Sequence, residues 1–88
     1  MNMRIRELQG LGKKSEEILN RAGISSVEEF MASDPFELYL TLKQSVPGVG
    51  LNFLYAMLGA QEHMHWQQIA RERKTAILMR LDEMGIAP

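Results

Sequence analysis

The sequence predicts an all-α chain, a compact bundle of about five to six short helices, and three observations predict it. Apolar residues recur at three- and four-residue spacing through several windows, as they do along one face of a helix. No window alternates apolar and polar residues with the β-branched enrichment of a strand. Gly10, Gly23 and the stretch "SVPGVG" at 45–50 stand where the apolar stripes stop. With 88 residues, 45% of them hydrophobic and 24% charged, the chain is globular in composition and has room for one core. Residues 1–88 are therefore read as a single domain.

Ile5 and Leu8 predict a short first helix ending at Gly10. Ile18, Leu19 and Ala22 predict a second from about Lys13, stopped by Gly23. In "GISSVEEFMAS", Ser26 and Glu29 stand in capping-box relation, and Val27, Phe30 and Met31 form an apolar stripe over about two turns. A fourth helix restarts at once, because Asp34 can cap it, Pro35 suits its first position and Glu37 its third. Phe36, Leu38, Tyr39, Leu40 and Leu42 give that helix its buried face. The next segment, "LNFLYAMLGA", is apolar almost all round and is the expected central helix. Polar residues from Glu62 to Gln68 predict a bend, after which "ARERKTAILMRLDEM" carries Ile77, Leu78, Leu81 and Met84 on one side.

Composition removes whole classes of function. There is no cysteine, so disulfides, thiolate zinc sites and cysteine nucleophiles are excluded, and a reducing cytoplasm is the expected setting. The start lacks the apolar run of a signal peptide, and the most apolar stretch is too short to span a bilayer. Export and membrane insertion are not expected. Net charge is −1, but residues 1–21 carry five basic and three acidic side chains, whereas residues 22–65 carry one basic and five acidic. That balance argues against tight non-specific binding of nucleic acid, which rests on phosphate neutralisation by a basic surface.

The sharpest local pattern is "LQGLGKK" at 8–14. A glycine–apolar–glycine turn can join two helices tightly and leave backbone N–H groups, here those of Leu11 and Gly12, open to an anion. Lys13 and Lys14 follow in the first helical turn, where cations oppose the helix macrodipole by about 0.3–1 kcal/mol each. A bound phosphate would convert that conflict into complementarity. Alternatively, the turn closes a helical hairpin, the lysines are solvated, and Glu16 and Glu17 balance the dipole. Gly10, Leu11, Gly12, Lys13 and Lys14 are thus the candidate nucleic-acid-binding residues.

Other patterns weigh less. Gly48 and Gly50 repeat the Gly-x-Gly spacing, but Leu51 and Asn52 take the places of the two lysines, so coincidence or a degenerate structural repeat is the simpler reading. His63 and His65 point to nearly opposite faces of a helix and lack a full ligand set, so no metal is expected. Trp66, Tyr55, Tyr39 and Phe53 sit among apolar neighbours at helical spacing, which favours core packing over base stacking. Arg71, Arg73 and Lys74 form a positive cluster that would extend a basic strip if the fold brought it beside Lys13 and Lys14. No paired carboxylates, nucleophile with its base, or phosphate loop occurs, so neither enzyme activity nor a cofactor is expected.

The stretch "LQGLGKKSEEILNRAGISSVEEF" resembles a helix-hairpin-helix (SAM/HhH-like) element, with its apolar-x-Gly-apolar-Gly turn and following lysine. Together with "LNFLYAMLGAQEHMHW" and the lysine of "ARERKTAIL", it is similar to the C-terminal domain of the TfoX/Sxy family of DNA-transformation regulators, over about residues 4–81. The resemblance implies a compact helical domain that follows a separate α/β domain in longer relatives and belongs to a regulator of competence-gene transcription. On this basis the expected partner is duplex DNA, held weakly through phosphates, or a transcription-regulator protein bound by an apolar helical surface without nucleic acid.

Overall fold

A computed structural model describes residues 3–87. Its order is a single 3-10 turn at Ile5–Glu7, then α1 (Lys13–Arg21), α2 (Val27–Ala32), α3 (Pro35–Ser45), α4 (Leu51–Glu62) and α5 (Trp66–Glu83), with no strand among the described residues. The Cα radius of gyration is 12.3 Å, against about 12 Å for a compact chain of this length. The all-helical class and the compact packing both follow the sequence pattern.

Local chemistry explains the boundaries. The predicted first helix shrinks to one 3-10 turn, because the chain turns back at Leu8, whose N–H donates to the Ile5 carbonyl at 3.0 Å. At the other end of α1, Gly23 at φ +88° closes a left-handed cap in which the Ile24 N–H reaches the Leu19 carbonyl at 3.0 Å. Ser26 caps α2 by accepting the Glu29 N–H at 3.1 Å, while the Glu29 carboxylate reaches back one residue further than a standard capping box, to the Ser25 N–H at 3.2 Å. Phe30 is buried, but Met31 faces solvent, since two turns of helix bury only a narrow stripe. Asp34 and Pro35 start α3 as predicted, with Asp34 Oδ1 accepting the Phe36 N–H at 2.9 Å.

Helix α4 is the core helix. Leu54 and Met57 are fully buried, with Tyr55, Leu58, Gly59 and Ala60 nearly so, while α5 packs along it and α3 lies against it. Gln61, near its end, donates through Nε2 to the Phe30 and Ser33 carbonyls, each at 2.9 Å, and so caps α2 from across the fold. The bend into α5 is much shorter than the composition of 62–68 predicts. His63 takes the left-handed conformation at φ 57°, the Met64 N–H returns to the Gly59 carbonyl at 2.9 Å, and α5 begins at Trp66. Such a tight return requires glycine at 59, because a Cβ there would overlap the Met64 carbonyl oxygen and lie 3.3 Å from the Trp66 nitrogen. On α5, Ile77 and Leu81 are buried as predicted, joined by Ile69, which the shorter bend brings into the helix.

A candidate nucleic-acid interface

Between the 3-10 turn and α1, the chain reverses through Leu8–Gly12. Gly10 adopts φ +81°, a conformation that strains any residue with a Cβ, and its Cα faces the Ala56 carbonyl of the core helix. Leu11 is buried and pins the turn to the core. Its N–H donates to the Leu8 carbonyl at 3.1 Å, so the Leu11 amide is spent inside the turn and is not the open donor the sequence suggested. The open donors belong to the next segment. Gly12 is the N-cap of α1 in extended backbone, with no side chain to accept, and the first intrahelical bond runs from the Glu16 N–H to the Gly12 carbonyl at 2.9 Å. The first-turn amides of α1 therefore have no side-chain cap.

Lys13 and Lys14 are both exposed, and neither takes part in an ion pair among the described residues. Glu16, one of the two carboxylates on α1, is already engaged. Its Oε1 accepts from Arg6 Nη2 at 2.6 Å and Nε at 3.0 Å, and its Oε2 accepts the Arg6 backbone N–H at 3.1 Å. The bond to the Arg6 side chain, followed by that to its backbone, holds the Glu16 carboxyl below the usual carboxylate range, and the same contact raises the Arg6 guanidinium. This clamp ties the 3-10 turn to α1 across the glycine turn. It fixes the loop and engages Glu16 with Arg6, leaving Glu17 as the exposed carboxylate on the first turns of α1.

The second Gly-x-Gly turn repeats the first in backbone form. Gly48 sits at φ +85° as Gly10 does at +81°, Val49 is buried like Leu11, and Gly50 is an extended N-cap like Gly12, again without a side-chain cap. The repeat is thus structural, and its degeneracy lies in the side chains. It joins α3 to α4, two full helices, whereas the first turn joins a 3-10 turn to α1. The second turn lines an open groove of about 670 Å³, Pro47–Gly50 sharing it with Lys14, Ser15 and Ile18 of α1, while Leu8–Gly12 do not border it.

Of the "ARERK" cluster, Arg73 is withdrawn into a forked ion pair with Glu62, Nη1 to Oε2 at 2.6 Å. Arg71 and Lys74 remain exposed, without an ion pair among the described residues, on a second groove of about 460 Å³ shared with Leu51 and Asn52. Tyr39 and Tyr55 are core residues, and neither hydroxyl has a hydrogen-bond partner among the described residues; burial pushes both phenols up. Phe53 and Trp66 are half-buried against the same core. Tyr39 and Tyr55 thus offer no stacking surface, while Phe53 and Trp66 each line one of the two grooves. His63 and His65 each serve the backbone: His63 ends α4, and His65 Nδ1 accepts the Gln67 N–H at 3.1 Å to cap α5. Among the described residues no cluster of three or more His, Asp or Glu could hold a metal, and no helix is long and apolar enough to cross a membrane.

None of the curated proteins matches the chain. Its backbone is similar to the crystal structure of an uncharacterized protein from Listeria monocytogenes, with a TM-score of 0.80 over 98% of this chain and 99% of that one, at 24% identity. That likeness carries the fold alone. The family model described as the TfoX C-terminal domain matches residues 1–81.

Proposed function

We propose, from the premise that this chain belongs to the TfoX C-terminal domain family, that it is a non-enzymatic regulatory binding domain, related to competence regulators and acting in the cytoplasm. It contacts duplex DNA weakly through the turn at Gly10, Leu11, Gly12, Lys13 and Lys14. The supporting observation is that two exposed, unpaired lysines stand in the first turn of a helix whose amides have no side-chain cap. An isolated domain gains nothing from that arrangement, since each lysine opposes the macrodipole. A phosphate oxygen placed there accepts from the amides and neutralises the lysines at once. Gly10 shapes the turn, Leu11 anchors it, and the Arg6–Glu16 clamp keeps it rigid. Contacts of this kind fix position on the duplex and do not read bases.

The test is a fluorescence titration of a short labelled duplex with the wild type and with Lys13→Glu/Lys14→Glu, at low and moderate salt, after circular dichroism has established that both are helical. Salt-sensitive binding by the wild type, lost in the variant, is expected. Absence of wild-type binding at low salt would overturn the proposal.

A second reading, a protein-interaction module that never touches nucleic acid, has its own observation. Between α3 and α5 lies an apolar groove of about 500 Å³ beside Phe36, Ala76 and Met79, and Met79 is 60% exposed. The discriminating result is a protein partner, or self-association, that is insensitive to salt and abolished by Met79→Glu.

A further inference from the structure

Of the ten cations of this chain three are paired, and seven, among them Arg4, Arg21 and Lys43, are exposed without an ion pair among the described residues. Arg6, Arg73 and Arg80 are each committed to a carboxylate, on Glu16, Glu62 and Asp34 respectively. Lys13, Lys14, Arg71 and Lys74 are exposed and make no ion pair among the described residues. Lys14 borders the groove that holds the second glycine turn, and Arg71 and Lys74 border the groove on the other side of the α4 start. Leu51 and Asn52 line both grooves, so the second turn lies between the two groups of cations.

The carboxylates fall the other way. Neither of these two grooves has an aspartate or glutamate in its lining, whereas the α3–α5 groove holds Glu62 and Glu83, the one beside the N-terminal turn Glu16 and Glu28, and the one at the end of α5 Asp82. In a chain with net charge −1, these two adjoining grooves are lined by cations and by no carboxylate. Arg71 and Lys74 of α5 share a groove with Leu51 and Asn52, the residues that stand where the first turn has its lysines.

We infer that Arg71 and Lys74, with Asn52 between them and Lys14, form a second phosphate-contacting region, so that a DNA duplex is held at two places on one face. Lys13 and Lys14 hold one stretch of backbone, and Arg71 and Lys74 hold another. Asn52, in the first turn of α4, offers its side-chain amide as a donor between them. This inference rests on the DNA reading above and extends it beyond the first turn.

The experiment measures the salt dependence of duplex binding for four proteins: wild type, Lys13→Gln/Lys14→Gln, Arg71→Gln/Lys74→Gln, and Arg4→Gln/Arg21→Gln. The last pair removes the same charge from cations that line neither groove. Each phosphate contact neutralised contributes about 0.9 to the log–log slope. The Arg71/Lys74 variant should therefore bind with a slope shallower by about 1.8, while the Arg4/Arg21 control keeps a slope close to wild type. If the Arg71/Lys74 variant keeps the wild-type slope while the Lys13/Lys14 variant loses it, the second region is wrong and the first stands. Equal losses in the Arg71/Lys74 variant and the control would also overturn it, since overall charge would then be the cause. No binding by the wild type removes both readings. Binding of a single strand or of anionic vesicles in preference to the duplex would replace the duplex as the ligand and overturn the inference as stated.

Discussion

Gly59 shows how one residue sets the course of the chain. It has no Cβ because the backbone from Met64 to Trp66 returns directly over it, and nothing in the apolar run around it signals that constraint. Gly59→Ala should destabilise the fold by about 1–3 kcal/mol, as overpacking does, and a urea melt should show it. Gly10→Ala should lose about 1–2 kcal/mol through its left-handed backbone, whereas Gly12→Ala, with open space around it and ordinary backbone angles, should change stability far less. Gln61 is equally hidden in sequence. Its amide serves carbonyls 28 and 31 positions away, a partnership that no local pattern announces. Gln61→Leu should cost about 1–2 kcal/mol, chiefly by leaving the Ser33 carbonyl without its donor, since the Phe30 carbonyl keeps the Ser33 N–H at 3.1 Å, with Tm as the readout. Tyr39 and Tyr55 were legible as core residues because apolar spacing reports burial. That their hydroxyls lack partners among the described residues was not, because it depends on which atoms meet across α3 and α4.

At the scale of elements, caps and stripes were the readable features. Asp34–Pro35 and Ser26 mark α3 and α2 in the sequence and do so in the structure, because an N-cap acts within three residues. The start of α5 was placed too late, since His65 caps a helix here in a role usually taken by serine or aspartate. The first helix was overextended because two apolar residues fit one 3-10 turn as well as a longer helix. The clamp between that turn and α1 also makes a pH prediction. Glu16, held low by Arg6, and Glu29, held low chiefly by the Ser25 hydroxyl and backbone, are depressed in the folded state. Groups depressed on folding stabilise it above their unfolded pKa, about 4.3, and that contribution disappears as pH falls through the folded values. Thermal melts between pH 6 and pH 3 should therefore show Tm falling below about pH 4.5, with a shallower fall in Glu16→Gln. An unchanged pH profile in that variant would remove the clamp from the account.

For the whole molecule, charge placement matters more than net charge. The sequence made Lys13 and Lys14 visible, but it could not show that Arg73 is neutralised by Glu62 while Arg71 and Lys74 are left free. Nor could it place the second glycine turn between the two cation groups, because that adjacency comes from α5 packing along α4. One consequence separates function from stability. Lys13→Glu/Lys14→Glu should raise Tm, since acidic residues in the first turn of α1 favour the macrodipole by about 0.3–1 kcal/mol each, while it abolishes DNA binding. Asn52→Asp should behave alike at the start of α4. A residue whose removal stabilises the fold and weakens binding is held for the ligand.

The most direct measurement is the affinity of the wild-type chain for a short duplex across a range of salt. Two lysines alone predict a log–log slope of about −1.8, and Lys13, Lys14, Arg71 and Lys74 together about −3.6. A slope between those values supports a phosphate-contacting face, and its steepness tells how much of that face is used. A slope near zero, or no binding at low salt, would contradict the account and leave the groove beside Met79 as the surface to pursue.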